Sequence, residues 1–183
     1  MEKSVNVGVP EGVILTPLKP ITDCRGTLCE AFRLDRVPEK KFVQWNLVRS
    51  NVGTLRGVHV HKNRADYLVV IEGEMLLGLY DMRRNSPTFQ QSTIVSITPE
   101  THKAAYIPTG VAHGFYFTQP SLTMYGLTEY WSMADEMGCH PFDADLKLNW
   151  PDTGSVQLSD RDQAAGTLAV MQAEYDEWVN THG

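Results

Sequence analysis

Short runs of apolar and β-branched residues, separated by turn residues, cover the chain from about residue 13 to residue 131. Such runs predict β-strands, because successive side chains of a strand point to opposite faces of a sheet. Their spacing, without long helical patterns between them, predicts an all-β sandwich or barrel. The predicted strands are Tyr67 to Ile71, Met75 to Tyr80, Thr93 to Ile97, Ala104 to Ile107, Gly114 to Phe117 and Leu122 to Trp131. Breaks are predicted at Glu72-Gly73, Asn85-Ser86-Pro87, Thr98-Pro99 and Gln119-Pro120.

The last part of the chain has a helical period instead. From Asp160 to about Thr181, apolar residues recur at steps of three or four, which predicts one helix over residues 160–181, capped by Ser159 or Asp160. We expect its apolar stripe to pack against the barrel or a second subunit. The stripe consists of Leu168, Met171, Tyr175 and Trp178. Without a repeat or a long linker, residues 1–183 are expected to form a single domain.

Composition narrows the classes of protein. The chain of 183 residues has 16 Lys and Arg against 22 Asp and Glu, a net charge of -6, which argues against nucleic acid as the main partner. The first residues lack an apolar signal core, and no run of about 18 apolar residues occurs, so neither secretion nor a membrane partner is expected. Three sparse cysteines suit a reducing compartment, and we expect a cytoplasmic protein.

A His-x-His pair gives the first indication of chemistry. In a strand, His59 and His61 would point to the same face, as metal ligands or as a base with a polar neighbour. The surrounding residues match the general cupin pattern, and with a later Pro-x-Gly-x-x-His segment they would supply three imidazoles and one carboxylate. The residues of this pattern are Gly53, His59, His61, Asp66, Gly73, Pro108, Gly110 and His113.

Further segments carry a second interpretation of the same residues. In chain order they are Asp23-Cys-Arg25-Gly26-Thr-Leu-Cys-Glu30-Ala-Phe32, Gln44-Trp-Asn46, Gly53-Thr-Leu-Arg56-Gly57-Val-His59, Asp81-Met-Arg83-Arg-Asn-Ser86-Pro87-Thr88-Phe89, Ile107-Pro108-Thr-Gly110-Val-Ala-His113-Gly114-Phe115, Tyr125 with Thr128-Glu-Tyr130, Asn149-Trp150-Pro151 and Leu158-Ser159-Asp-Arg-Asp162. With these segments the sequence resembles the dTDP-4-dehydrorhamnose 3,5-epimerase family of metal-independent cupins.

The resemblance implies a fold and a reaction. The expected fold is a cupin jelly-roll (double-stranded β-helix) barrel with a C-terminal helix. The expected reaction, in deoxysugar biosynthesis, inverts carbon 3, carbon 5 or both of a dTDP-linked or other NDP-linked 4-keto-6-deoxy sugar, without metal or cofactor. Such inversion needs a base, a group that stabilises the enolate oxygen, and an acid on the opposite face.

The resemblance also implies residue roles. His59 corresponds to the base, Asp162 to the carboxylate that orients it, and Tyr125 to the general acid. The implied substrate-binding residues are Arg25, Glu30, Gln44, Asn46, Arg56, His61, His113 and Trp131. Arg25 belongs to a segment, within residues 1–35, that family members extend into the neighbouring subunit's site to meet the diphosphate, and this implies a homodimer.

One position departs from the family. Asp66 stands where the family usually has a Lys near the keto group, and an unpaired carboxylate there would oppose enolate formation. We expect Asp66 either to pair with Arg64 or Lys62 or to turn away. Three further possibilities are open. Arg56 and His61 stabilise the enolate oxygen, the enzyme acts on a differently placed ketone or on a single carbon, or Asp66 binds a metal.

Besides a catalytically silent cupin that only binds a sugar nucleotide, two alternative functions stay open. One is a metal-dependent cupin oxygenase or isomerase that uses His59, His61, Asp66 and His113 as ligands. The other is a sugar 3,4-ketoisomerase, a type of cupin that the Arg56-Gly-Val-His-Val-His61 segment also resembles but that lacks a Leu-Ser-x-x-Asp segment.

Overall fold

Two antiparallel sheets of five strands form the body of the computed structural model, which describes residues 8–39, 41–151 and 154–182. A separate two-stranded hairpin lies outside them. The strands are β1 (Ile14–Pro17), β2 (Pro20–Asp23), β3 (Gly26–Cys29), β4 (Gln44–Ser50), β5 (Leu55–His61), β6 (Asp66–Glu72), β7 (Met75–Asp81), β8 (Ser92–Ile97), β9 (Lys103–Ile107), β10 (Val111–Phe117), β11 (Ser121–Leu127) and β12 (Glu136–Gly138). The helices are α1 (Asp160–Gln163) and α2 (Leu168–His182), with single 3₁₀ turns at Leu34–Arg36, Met133–Asp135 and Ala144–Leu146.

The strand order is that of a jelly roll. The first sheet runs β1-β9-β6-β11-β4 and the second β12-β5-β10-β7-β8. Strands β4 to β11 therefore alternate between the two sheets, except that β7 and β8 are neighbours in the second sheet, and they wind around a common axis as in the double-stranded β-helix. The predicted all-β class and barrel are confirmed, and each predicted strand coincides with an observed one. The last of them ends at Leu127, four residues before Trp131.

The main core lies between the two sheets. Leu68 and Val70 of β6 meet Leu77 and Leu79 of β7, and all four are nearly inaccessible to solvent. The alternate residues of β6, Tyr67 and Val69, are buried on the other face of the first sheet. Burial on both faces explains why this strand is a continuous apolar run instead of an alternating one.

Helix α2 covers the outer face of the second sheet. Its residues Leu168, Met171 and Tyr175 are buried in one cluster with Val58 and Tyr116 of the sheet, and Trp178 packs against that cluster. Burial of each such side chain contributes about 1.5–3 kcal/mol to folding. The predicted stripe is therefore core, packed against the barrel. Neither described helix has the length and apolar character that crossing a bilayer requires.

The predicted single helix over 160–181 is wrong in one respect, because it is interrupted at residues 164–167. The carbonyl of Gly166 accepts a hydrogen bond from the amide of His140, and Gly166 forms a parallel bridge with Cys139. These bonds hold the backbone extended beside the end of β12. The first helix keeps its predicted cap, since Ser159 Oγ accepts a hydrogen bond from the Asp162 amide. The Leu168 amide at the start of α2 donates to Asp143.

Candidate active site

A bulge in β5 brings the side chains of this strand into one cavity. In regular alternation Arg56 and His59 would face opposite sides of the sheet. The pairing with β10 instead shifts register, from His59 opposite His113 to Arg56 opposite Phe115. Gly57 between them has φ 109, and a Cβ atom there would lie 2.8 Å from the Cα of Gly114, so the bulge requires glycine. As a result Arg56, His59 and His61 all line the cavity.

The cavity has a volume of about 560 Å³ and runs between the two sheets. Seven of the eleven predicted site residues line it, and β5, β10 and β11 supply five of these. They are His59, Tyr125, Asp162, Arg56, His61, His113 and Trp131. The volume suits a ligand of the size that proteins usually bind in such clefts.

His59 and Asp162 form a hydrogen-bonded pair. His59 Nε2 lies 2.7 Å from Asp162 Oδ1, and the amide of Gly57 donates to Asp162 Oδ2 over 3.4 Å. Burial alone would raise the pKa of Asp162, but the bonds from His59, from the Ser159 cap and from Gly57 more than offset it, and the pKa lies below its usual value. An ionised Asp162 accepts the proton of Nε2, so the lone pair of His59 is on Nδ1.

Tyr125 lies on β11, opposite Asn46 of β4 and Leu68 of β6. It is partly buried and lines the same cavity as His59. Burial, together with the nearby charge of Asp66, raises the pKa of the phenol above its usual value. Tyr125 is therefore protonated at neutral pH and is able to donate a proton.

A cluster of buried charged groups forms another part of the cavity wall. Asp66 Oδ2 lies 3.5 Å from His61 Nε2 and 3.4 Å from His113 Nε2, and Asp66 Oδ1 lies 3.4 Å from Arg64 Nε. Burial raises the pKa of Asp66, but His61 and His113 lower it by more, so Asp66 is a carboxylate. The expected pairing with Arg64 is confirmed.

Glu136 of β12 extends this cluster toward helix α1. Its Oε1 accepts hydrogen bonds from Arg64 Nη2 at 2.6 Å and from Trp131 Nε1 at 3.0 Å, and its Oε2 accepts one from Arg161 Nη1 at 2.5 Å. Burial raises the pKa of Glu136, but Arg161 and Arg64 outweigh it and lower the pKa to about 2. The carboxylate thus joins three segments that are distant in sequence.

The other four predicted site residues do not line the cavity. Gln44 and Asn46 lie on the same face of β4 as Val48, which does, and Gln44 accepts a hydrogen bond from the Trp131 amide. Arg25 and Glu30 lie at the exposed hairpin. Arg25 pairs with its neighbour Asp23, and Glu30 pairs with Arg33 and Arg36.

Glu136 and Arg161 were not expected to belong to the site, although both line the cavity. The two arginine partners of Glu136, Arg161 and Arg64, are 25 and 72 residues away in the chain, and no local pattern marks such contacts. Arg161 does lie inside the Leu158-Ser159-Asp-Arg-Asp162 segment, and its place beside Asp162 was the available signal.

A metal could be held by His61, Asp66 and His113, whose ligand atoms lie within 4.8 Å of one another. His59, the fourth ligand of the metal hypothesis, is instead bonded to Asp162. In addition, Arg64 Nη2 lies 3.1 Å from His61 Nε2, so a metal would replace this hydrogen bond and stand beside a guanidinium charge. The donor set therefore favours an ion-pair cluster.

The fold is that of a cupin, and its cavity holds a hydrogen-bonded His59–Asp162 pair and the protonated phenol of Tyr125. A model of the dTDP-4-dehydrorhamnose 3,5-epimerase family matches residues 8–170. The chain belongs to this family and is accordingly an isomerase. The comparisons support this function and not the metal-dependent or ketoisomerase alternative.

Individual relatives agree in fold and differ in the position of inversion. A dTDP-4-dehydro-6-deoxyglucose 3-epimerase of Streptomyces bikiniensis is 33% identical over 78% of this chain and 75% of its own. A dTDP-4-dehydrorhamnose 3,5-epimerase of Pseudomonas aeruginosa is 30% identical over 91% of this chain and 96% of its own. The solved 3,5-epimerase of Legionella pneumophila, in complex with dTDP-4-keto-L-rhamnose, superposes with a TM-score of 0.83 at 32% identity, over 90% of this chain and 92% of its own.

A second solved structure is a 3'-monoepimerase from Streptomyces bikiniensis in complex with dTDP-quinovose. It is similar with a TM-score of 0.84 at 30% identity, over 94% of both chains. Relatives that invert one carbon and relatives that invert two are thus about equally similar to this chain.

Proposed function

We propose that this protein inverts carbon 3, carbon 5 or both of a dTDP-linked 4-keto-6-deoxy sugar. The observation that carries the proposal is the 2.7 Å bond between His59 Nε2 and Asp162 in a cavity that Tyr125 also lines. This arrangement supplies a base with a defined tautomer and a protonated acid, which are the two groups that inversion beside a ketone requires.

The reaction follows from this geometry. Nδ1 of His59 accepts the proton from the carbon beside the ketone, and the bonding pair moves to form the enolate. The Asp162 carboxylate stabilises the resulting imidazolium. The Tyr125 phenol then returns a proton to the opposite face of that carbon, and the pair on the enolate oxygen re-forms the ketone. Exchange with water restores the phenol and the neutral imidazole.

Deuterium exchange tests this function. The protein is incubated with dTDP-4-keto-6-deoxyglucose in heavy water, and the product is analysed by NMR and mass spectrometry. Deuterium at carbon 3 alone indicates a 3-epimerase, and deuterium at carbons 3 and 5 a 3,5-epimerase. Absence of exchange with this substrate and with its GDP- and CDP-linked counterparts would overturn the proposal.

We also propose that the active form is a homodimer in which a segment within residues 1–35 reaches the partner's cavity. The strands β2 and β3 are exposed throughout, and their apolar residues Ile21 and Leu28 are 67% and 63% exposed. Arg25 at the tip of this hairpin is also exposed. Such a surface suits contact with a second copy, where Arg25 would bind the diphosphate.

Mixing of variants tests the exchange of segments. Arg25→Ala and His59→Ala should each be inactive as homodimers. When the two are mixed, unfolded and refolded together, a heterodimer carries one site with both residues intact, and we expect about a quarter of the wild-type activity from random assortment. A monomer in light scattering, or no recovery on mixing, would contradict the proposal.

A cytoplasmic location completes the proposal. It is supported by the three cysteines, which are all unpaired, two of them at exposed positions.

A further inference from the structure

Arg64 is a buried cation whose hydrogen-bonding capacity is only partly used. Its side chain is 3% exposed, although it lines the cavity. Nη2 donates to Glu136 and to His61, whereas Nε and Nη1 have no hydrogen-bond acceptor among the described residues. A buried guanidinium with unused N–H groups is uncommon, since nearly all buried polar groups are hydrogen-bonded. These donors have almost no accessible surface, but Arg64 lines the cavity, so a shift of its side chain on ligand binding would bring an unused donor to an acceptor atom of the ligand.

The carboxylates around Arg64 hold it in place. Glu136 binds Nη2 at 2.6 Å, and Asp66 Oδ1 lies 3.4 Å from Nε. These two negative charges are matched by Arg64 and by Arg161, which also binds Glu136. A network of this kind rarely stabilises a fold more than apolar packing would. Its location in the wall of the cavity favours a role in binding or chemistry instead.

Arg56 also lines the cavity, and it differs from Arg64 in its surroundings. Arg56 is exposed and donates through Nε to Ser50. Water screens such a charge, and it suits an anion that remains partly solvated, such as a diphosphate. The buried Arg64 acts in a lower dielectric, where a charge stabilises a developing anion much more strongly.

We propose that Arg64 donates hydrogen bonds to the keto oxygen of the substrate and stabilises the enolate formed when His59 removes the neighbouring proton. Asp66 and Glu136 are positioning residues that orient the guanidinium. This inference rests on the proposed epimerase function. It also accounts for Asp66 at the position of the family's lysine, because the cation is present and is supplied by Arg64.

The test measures deuterium incorporation by the full-length protein and by Arg64→Ala, Arg64→Lys and the control Arg84→Ala. Arg84 is an exposed arginine on the surface, paired with Asp176. We expect Arg64→Ala to lower kcat about 10²–10³-fold, the usual effect of removing one donor to a developing oxyanion, with a smaller change in KM. Arg64→Lys should lose less, and Arg84→Ala should match the wild type. The Kd for dTDP, measured by calorimetry, should be unchanged in all three.

Chemical rescue separates a donor from a merely structural residue. Millimolar guanidinium chloride should raise kcat of Arg64→Ala several-fold, and sodium chloride at the same concentration should not. Folding of each variant is checked by circular dichroism. If Arg64→Ala does not fold, the test uses Arg64→Lys, whose kcat we expect to be at least threefold below that of the wild type.

Some outcomes would overturn the proposal on Arg64 alone. The first is an active wild-type protein together with a folded Arg64→Ala whose kcat lies within threefold of the wild-type value. The second is a folded Arg64→Ala that guanidinium does not rescue. The third applies where only Arg64→Lys folds, and it is a kcat of that variant equal to the wild-type value. A wild-type protein without any exchange would instead overturn the proposed function, and the inference on Arg64 with it.

Discussion

Two parts of the cavity wall use charged residues in opposite ways. In the pair of His59 and Asp162, the carboxylate oxygens of Asp162 are occupied by protein groups, Oδ1 by His59 Nε2 and Oδ2 by the Gly57 amide, and the Asp162 backbone amide donates to Ser159 Oγ. In the cluster of Asp66, Arg64, His61, His113 and Glu136, several buried atoms have no hydrogen-bond partner among the described residues. Saturated groups hold a side chain in place, whereas unsaturated ones remain available to a ligand. This difference supports the proposals that the first part orients the base and that the second contacts the substrate.

The largest effect is expected at the pair of His59 and Asp162. His59→Ala removes the base, and deuterium incorporation should fall by about 10²–10⁴-fold, the usual contribution of a general base. Asp162→Asn should also lower it, because an amide does not enforce the same tautomer of His59. Initial rates of exchange by mass spectrometry measure both. Exchange at the wild-type rate by a folded His59→Ala would show that another group is the base.

In the cluster, Asp66→Asn should act mainly on stability. It removes one partner of a buried ion-pair network, which typically costs about 3–5 kcal/mol in the free energy of unfolding. Urea denaturation measures the change, with the exposed Asp35→Asn as a control that should not alter stability. A wild-type midpoint for Asp66→Asn would mean that Glu136 alone compensates Arg64.

Substitution of the proposed acid, Tyr125, is expected to reduce inversion without stopping deuterium exchange. Tyr125→Phe keeps the base but loses the phenolic proton, so net inversion should fall by about 100-fold while exchange at the same carbon continues. NMR of the product distinguishes deuterium with retained configuration from deuterium with inverted configuration. Normal inversion by this variant would show that a different residue delivers the proton.

The smallest expected effect is on the stability of the fold at low pH. The pKa of Glu136 is lowered to about 2 from 4.5, so its contribution to stability is present above pH 4.5 and is lost as the pH falls toward 2. The stability difference between wild type and Glu136→Gln should therefore shrink between about pH 6 and pH 3. The control is Glu129→Gln, at an exposed ion pair with Lys41. A stability difference between wild type and Glu136→Gln that stays constant with pH would contradict the lowered pKa of Glu136.

The sequence was sufficient for six of the twelve described strands, because each of these six has a local pattern. The apolar runs of β6 to β11 and the turn residues between them predicted both the class and most boundaries. The interruption of the C-terminal helix was not predictable, since it depends on bonds from Gly166 to the distant segment at Cys139 and His140. Residues 164–167 have no proline to mark it.

At the site too, local patterns were predictable from the sequence and long-range contacts were not. The spacing of His59 and His61 predicted a common face, and the ordered segments pointed to Tyr125 and Asp162, all of which line one cavity. The orientation of Arg56 required the bulge at Gly57, which changes the alternation of β5. The place of Glu136 in the cluster depends on contacts across 72 residues.

The sequence by itself determined the all-β class and the family, because these depend on residue types in local patterns. It also pointed to His59 and Tyr125 as the proposed base and acid. Only the tertiary structure decided whether the charge of Asp66 is exposed to the substrate or compensated. Asp66 and Arg64 are neighbours in the chain, but the counter-ion Glu136 and the ring of His113 reach them from other strands. The electrostatics of a buried carboxylate depend on all groups within a few ångströms, and it is the fold that brings those groups together.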